Sequence, residues 1–155
     1  MEFTPEIKKA TQPIYQKISK TIPEIEWSTH APYIYEINKL KKEKNAVILA
    51  HNYQTPEIYH GISDFSADSL ALAVEAAKTK ADIIVMCGVH FMAETAKLMS
   101  PNKKVLLPDM RAGCSLSSSI TGEDVRKLKK QNPGVPVVSY CLLYTSPSPR
   151  DWMVS

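Results

Sequence analysis

The chain has 155 residues, of which 44% are hydrophobic and 23% are charged, a composition typical of one globular domain. Its net charge of +3 is too small to indicate a nucleic-acid partner. No apolar run approaches the ~18 residues of a membrane helix, and Met1–Lys20 lacks a signal-peptide core. We therefore expect a soluble, cytoplasmic protein. Its three cysteines form no paired motif, which argues against a disulfide framework.

The first part of the chain is predicted to be helical. Apolar residues at helical spacing predict a helix over Thr4–Lys20, which Pro13 should break. A loop is expected between Pro23 and Pro32, followed by an amphipathic helix over Pro32–Lys44.

Strands and helices alternate in the rest of the chain. Four short apolar runs predict buried strands: Ala46–Ala50, Ile83–Met86, Lys104–Leu107 and Val135–Ser139. Three helices are predicted, from Asp68 or Ser69 to Lys78, over Phe91–Met99 and over Gly122–Gln131. In the first of them, the inward-facing residues should be Leu70, Ala73, Val74 and Ala77. This alternation predicts an α/β fold, with a parallel sheet between two layers of helices.

The fold class also predicts where a ligand binds. Open α/β sheets bind ligands beyond the carboxyl ends of their strands. The segments at those ends are His51–Gln54, Cys87–His90, Asp109–Ser115 and the residues from Tyr140 onward. Because these segments also carry the most reactive side chains of the chain, we expect a site there.

Several residues in these segments have the chemistry of a site, and each also has a structural interpretation. His51 and Tyr53 can exchange protons, or they can be a capping histidine and a packing tyrosine. Ser69 begins a helix, where backbone N–H groups favour anions, although Asp68–Ser69 can equally be a plain helix cap. Cys114 lies in a loop of small residues that can expose a thiolate, but one cysteine cannot hold an iron–sulfur cluster alone.

Five segments together resemble the quinolinate synthase A family: Ile48–Glu57, Ala67–Leu70, Cys87–Ala96, Leu107–Asp109 and Ala112–Ser115. They follow the family's order and its approximate spacing. The resemblance implies an enzyme of NAD biosynthesis that condenses iminoaspartate with dihydroxyacetone phosphate to quinolinate. It also implies a 4Fe-4S cluster held by three cysteines, with one open iron that acts as a Lewis acid. The resemblance further implies a functional link to an L-aspartate oxidase or dehydrogenase.

The resemblance also implies roles for individual residues. Cys114 matches the first cluster ligand, and Tyr53 matches a catalytic acid–base tyrosine. His51 and Ser69 match residues that hold the carboxylates of the iminoaspartate part, and Tyr140 matches a tyrosine that lines the same pocket. The other cysteine at a strand end, Cys87, matches no ligand, which agrees with its interpretation as a buried thiol.

Family members have three similar α/β domains, so the resemblance implies a domain organisation as well. Residues 1–44 are a helical lead-in, residues 45–134 the first α/β domain and residues 135–140 the first strand of the next domain. The other two cluster cysteines lie further downstream in the family, so we expect this chain to be an inactive fragment. Residues 141–155 resemble translated sequencing-adapter read-through, and we do not count Cys141 as a ligand.

Two other functions stay open. One is a non-catalytic α/β domain that binds a phosphate or carboxylate through Ser69 and His51 and has no use for Cys114. The other is a thiol-dependent enzyme with Cys114 as nucleophile and His51 or His90 as base, which requires a lowered thiol pKa.

Overall fold

The structure is a computed structural model in which residues 1–138 are described. Its elements in chain order are α1 (Pro5–Ile18), α2 (Glu24–Glu43), β1 (Ala46–His51), α3 (Pro56–Gly61), β2 (Phe65–Ala67), α4 (Ser69–Lys78), β3 (Ile83–Cys87), α5 (His90–Met99), β4 (Lys104–Leu106) and α6 (Gly122–Gln131). The described residues divide into two units, one of residues 1–88 and 92–109 and the other of residues 89–91 and 110–138. Among the described residues, no helix is long and apolar enough to cross a membrane.

The first unit contains a four-stranded parallel sheet in the order β2-β1-β3-β4. Strand β1 pairs with β2 through Leu49 opposite Phe65 and His51 opposite Ala67. It pairs with β3 through residues 46–50, which lie opposite residues 83–87. Since all four strands run the same way, their carboxyl ends lie at one edge of the sheet. His51, Ala67 and Cys87 end three of these strands.

One face of the sheet packs on α2 and α3. Side chains alternate between the two faces of a strand, and Ile48, Ala50 and Cys87 share one face and form a buried cluster. Ile37 from α2 and Ile58 from α3 pack against that cluster. These contacts place two helices on the same side of the sheet.

The opposite face is covered by α4. Alternation along β1 and β3 places fully buried side chains on this face, namely those of Leu49, Ile84 and Met86. Helix α4 contacts both β1 and β2, and its buried residues are Leu72, Ala73 and Ala76. Helices therefore lie on both faces, and the predicted α/β fold with a parallel sheet flanked by helices is confirmed.

Helices α1 and α2 form a second hydrophobic cluster, and each helix continues through an internal proline. The buried residues of this cluster are Ile18, Ile22, Trp27, Ala31 and Ile34. The predicted loop between Pro23 and Pro32 is wrong, because residues 24–43 form one continuous helix with Pro32 fully buried inside it. Burying several large side chains, at about 1.5–3 kcal/mol each, outweighs the about 3 kcal/mol cost of an internal proline. Pro13 also lies inside α1 without ending it, on the exposed side of that helix.

Within its described residues, the structure contains two elements that were not predicted and lacks one that was. The short strand β2 and helix α3 were not predicted, because three and six residues are too few to show a periodic pattern. The predicted strand Val135–Ser139 has no counterpart in its described part, residues 135–138. Val135 is 61% and Val138 93% exposed, so neither side chain is buried as a core strand requires.

The inward face of α4 also differs from the prediction. Ala73 is buried as expected, but Leu70, Val74 and Ala77 are exposed. The helix is apolar on almost every side, so its sequence pattern does not distinguish one face from another.

The second unit is built around a short turn and one helix in its described residues. The backbone N–H of His90 donates to the carbonyl of Ala112 (2.7 Å), which joins its two chain segments. Ser117–Ser119 form a 3₁₀ turn. Helix α6 begins with a capping box, in which Thr121 and Asp124 each accept a hydrogen bond from the other's backbone N–H. The boundaries predicted for the domains, at residues 44, 134 and 140, stay a prediction.

Candidate functional site

The candidate site begins where β1 ends. His51 is the last residue of this strand, and the N–H of Gln54 donates to its carbonyl (3.0 Å), which turns the chain directly after the sheet. The N–H of Asn52 donates to the carbonyl of Ala67 (3.0 Å), so the end of β2 lies beside this turn. The structure therefore brings the turn with Tyr53 next to the chain that leads into α4 and Ser69.

His51 and Tyr53 form a ring pair. Their ring centroids lie 4.0 Å apart at an interplanar angle of 39°. The backbone N–H of Tyr53 donates to Nδ1 of His51 (3.4 Å). Because Nδ1 accepts this bond, the neutral imidazole carries its proton on Nε2, which can donate to a ligand. Tyr53 is 55% exposed, so much of the residue faces solvent beside His51.

The environment of His51 favours the neutral imidazole. Partial burial lowers the pKa of His51 below its ordinary value of 6.5, and the nearby Asp68 carboxylate opposes this effect only in part. A neutral imidazole donates one hydrogen bond to a carboxylate, whereas the cation would add a full charge interaction. His51 is therefore suited to orient an anion through hydrogen bonding at neutral pH.

Ser69 is the first residue of α4, and its position confirms the predicted helix start. Oδ1 of Asp68 accepts the N–H of Ala71 (2.9 Å), as a helix cap does. Ser69 is half-exposed and lies at the positive end of the helix dipole. The cap is thus observed, and the role of Ser69 in binding a carboxylate stays a prediction.

Two residues near Tyr53 were missed by the sequence analysis. The Tyr53 hydroxyl lies 3.9 Å from Sδ of Met92, a buried residue of α5. A Cβ added to Gly88 would lie 2.8 Å from the same sulfur. The sequence signals were a glycine directly after a buried strand, which permits close approach, and the position of both residues in the Cys87–Ala96 segment of the family resemblance.

The two described cysteines have opposite environments. Burial raises the pKa of the Cys87 thiol to about 11, as expected for a buried thiol. Cys114 is half-exposed, and its pKa is lowered by hydrogen bonds from the backbone N–H groups of Ser117 and Leu116, with Ser117 the larger cause. A thiolate is the form that binds metals and attacks electrophiles, so Cys114 is the more reactive of the two.

The donor set for an iron–sulfur cluster is incomplete within residues 1–138. No group of three or more His, Cys, Asp or Glu side chains there could hold a metal ion. The accessible, thiolate-favouring Cys114 fits one ligand of a cluster that needs three or four. Tyr140 and Cys141 lie outside the described residues, so the predictions for them are not addressed by the structure.

Comparison with known proteins finds a family model and relatives that carry nearly the same description. A family model described as "Quinolinate synthetase A protein" matches residues 35–144. The quinolinate synthase of Caulobacter vibrioides is 62% identical over 138 residues, which are 89% of this chain and 38% of that protein. The quinolinate synthase of Sinorhizobium medicae is 60% identical over 140 residues, or 90% of this chain and 39% of that protein. The chain thus spans less than half the length of these relatives.

Proposed function

Because the chain belongs to the quinolinate synthetase A family, we propose that it is part of a quinolinate synthase that acts in NAD biosynthesis. The observation that supports this most directly is the extent of the family match. Residues 35–144 include every residue that we assign to the site, which are His51, Tyr53, Ser69, Cys114 and Tyr140.

The proposed reaction joins iminoaspartate to dihydroxyacetone phosphate and releases phosphate and water. In this proposal, Nε2–H of His51 and the hydroxyl of Ser69 hold the carboxylates of the iminoaspartate part. His51 ends β1 and Ser69 begins α4 just after β2, and both belong to the first unit. Two such donors suit a dicarboxylate. Tyr140 is proposed to line the same pocket, from outside the described residues.

Tyr53 is proposed to transfer the protons that ring closure requires. Tyr53 is 55% exposed, and the centroid of its ring lies 4.0 Å from that of His51. A phenol can give a proton to a leaving hydroxyl and take one from a carbon acid, provided that the site holds it in place. His51 then serves both to bind substrate and to orient the tyrosine.

Cys114 is proposed as one ligand of a 4Fe-4S cluster. When bound, such a cluster supplies an open iron that polarises a substrate oxygen as a Lewis acid. This chain contributes the Cys114 thiol, whose pKa is lowered by backbone N–H groups. The thiol therefore loses its proton more readily and can bind iron as a thiolate. With Cys87 buried, we expect the 155-residue chain alone to hold no stable cluster and to be inactive.

A second candidate function is thiol-dependent catalysis with Cys114 as nucleophile. The lowered pKa of Cys114 supports it, since that function requires a thiolate near neutral pH. A cluster ligand requires the same property, so the two functions differ in what Cys114 binds. Iron content therefore separates them.

The remaining assignments follow from the reaction. We propose a cytoplasmic location, where thiols stay reduced, and a functional link to an L-aspartate oxidase that would supply iminoaspartate. Cys87 and Cys114 are free thiols, which is compatible with a reducing compartment.

The test is a chimera of residues 1–138 with the C-terminal remainder of the Caulobacter vibrioides relative. It should restore growth without nicotinate to a bacterium that lacks quinolinate synthase, and it should bind iron and sulfide. Cys114→Ala should lose the cluster, whereas Cys87→Ser should keep it. Tyr53→Phe should keep the cluster and lose activity. A folded, cluster-loaded chimera that makes no quinolinate would contradict the proposal, and an active chimera without iron would favour the thiol enzyme.

A further inference from the structure

An exposed tyrosine and a buried methionine meet at the end of β1. The hydroxyl of Tyr53 lies 3.9 Å from Sδ of Met92. The Tyr53 side chain is 55% exposed, whereas Met92 is 5% exposed. A thioether is a weak hydrogen-bond acceptor that also packs well on aromatic rings. The outer end of an exposed residue is thus in contact with a buried side chain of α5.

Gly88 leaves the space in which this contact forms. A Cβ at position 88 would lie 2.8 Å from Sδ of Met92, closer than real Cβ atoms come to other heavy atoms. It would also lie 3.7 Å from the Tyr53 hydroxyl oxygen and 3.8 Å from Cβ of His51. A Cβ at this position would therefore force the Met92 sulfur to move, whereas its contacts with Tyr53 and His51 would be ordinary van der Waals contacts.

The ring of Tyr53 is thus held at two points. Its face lies against the imidazole of His51, with centroids 4.0 Å apart, and its hydroxyl contacts Met92. We propose that Met92, in the space that Gly88 leaves, is a positioning residue that fixes the hydroxyl of Tyr53 beside His51. The catalytic consequence of this contact rests on the proposed acid–base role of Tyr53, whereas the contact itself does not. A prearranged hydroxyl spares the reaction the entropy of ordering an exposed side chain.

The first experiment uses the 155-residue chain with ¹³C-methyl-labelled methionine. In Tyr53→Phe, the methyl resonance of Met92 should shift, because the substitution removes only the hydroxyl that contacts its sulfur. The resonance of Met86, which is fully buried in β3, should not move and serves as the control. Phenylalanine at this exposed position does not threaten the fold. A Met92 resonance that stays in place overturns the proposal.

The reciprocal experiment observes the ring protons of His51, whose chemical shifts report the position of the Tyr53 ring. In Met92→Leu, these shifts should move from the wild-type values toward those of Tyr53→Leu. The matched control, Met86→Leu, should leave them unchanged. The two methionine-to-leucine substitutions nearly conserve volume, and Tyr53 is an exposed residue, so the fold should be retained in all three variants. His51 signals that are identical in Met92→Leu and the wild type would also overturn the proposal.

These readouts need no substrate, so they do not depend on whether the chain belongs to a working quinolinate synthase. In an active chimera, Met92→Leu should lower kcat, by up to about a hundredfold, with KM unchanged. An unchanged kcat in that protein would refute the catalytic consequence and leave the proposed function intact.

Discussion

The ammonium group of Lys41 lies 2.8 Å from Oδ1 of Asp64 and connects α2 to the loop before β2. The other carboxylate oxygen, Oδ2, accepts the N–H of Ile48 in β1 (2.9 Å). The N–H of Asp64 in turn donates to the carbonyl of Ile48 (2.9 Å). Asp64 therefore aligns β2 with β1, one residue before Phe65 pairs with Leu49. A slip of one residue would move every side chain of β2 to the opposite face of the sheet. The two hydrogen bonds between Asp64 and Ile48 therefore set the position of β2 and of the chain that continues to Ser69.

Loss of the Asp64 carboxylate should destabilise the fold. We expect Asp64→Ala to lower the free energy of unfolding by about 2–3 kcal/mol, because hydrogen bonds to charged groups contribute about 1.5–3 kcal/mol. The control is Glu24→Ala, which breaks an ion pair of similar length (2.9 Å) to Lys8 on the surface. Its cost should stay below about 1 kcal/mol. Urea unfolding measures the free energy of unfolding of both variants. Equal losses would show that the Asp64 contacts contribute no more than a surface ion pair.

Asp68 should control the titration of His51. Asp68→Asn keeps a cap acceptor for α4 but removes the charge that opposes the effect of burial, so the pKa of His51 should fall further. Asp68→Ala should lower the His51 pKa as well and cost about 1 kcal/mol of stability through the lost cap. NMR titration of the imidazole measures the first effect. Asp82→Asn, at the other end of the sheet, is the control; a His51 pKa unchanged by Asp68→Asn would be evidence against the interaction.

The pKa of His51 also predicts a pH dependence of stability. Above the ordinary pKa of 6.5, the imidazole is neutral in both the folded and the unfolded chain and has no effect. As the pH falls from 6.5 through the lower folded-state pKa, the unfolded chain binds the proton more readily and the folded state loses stability. In His51→Gln, this part of the pH dependence should disappear. A wild-type protein that gains stability relative to His51→Gln in this window would contradict the burial effect.

The two described thiols should differ sharply in reactivity. In a Cys141→Ser background at neutral pH, iodoacetamide should modify Cys114 at least about a hundredfold faster than Cys87, because backbone N–H groups lower one pKa and burial raises the other to about 11. Mass spectrometry of timed samples measures both rates. In denaturant the difference should vanish; similar rates in the native protein would show that Cys87 is accessible.

A side chain at position 61 should fit only if the side chain of Ile34 moves. A Cβ at Gly61 would lie 2.9 Å from Cδ1 of Ile34, whose side chain is buried at the α1–α2 cluster. We expect Gly61→Ala to cost about 1–3 kcal/mol and Ile34→Val to recover part of that loss in the double variant. Gly113→Ala is the control, since its Cβ would meet nothing nearer than the Arg111 carbonyl at 3.7 Å. Additive losses in the double variant would mean that the two residues do not compete for space.

The errors of the sequence analysis have a common physical cause. The strands β1 and β3 were predicted within one residue, because apolar runs of four or five residues are a local signal. The loop at Pro32 was wrong, because the packing of α1 on α2 decides whether the helix continues. The inward face of α4 was wrong as well, since an apolar helix buries whichever side meets the sheet.

The sequence by itself determined the parallel α/β architecture, the resemblance to one family and the candidates His51, Tyr53, Ser69 and Cys114. These conclusions depend on neighbouring residues and short motifs, which are present in the chain before it folds. Only the tertiary structure decided that Met92 contacts the Tyr53 hydroxyl, 39 residues away in sequence, and that Asp64 aligns β2. Such contacts depend on how strands pair and helices pack, because these arrangements bring together residues that are distant in the sequence. They also decide how deeply each side chain is buried and which charges lie near it.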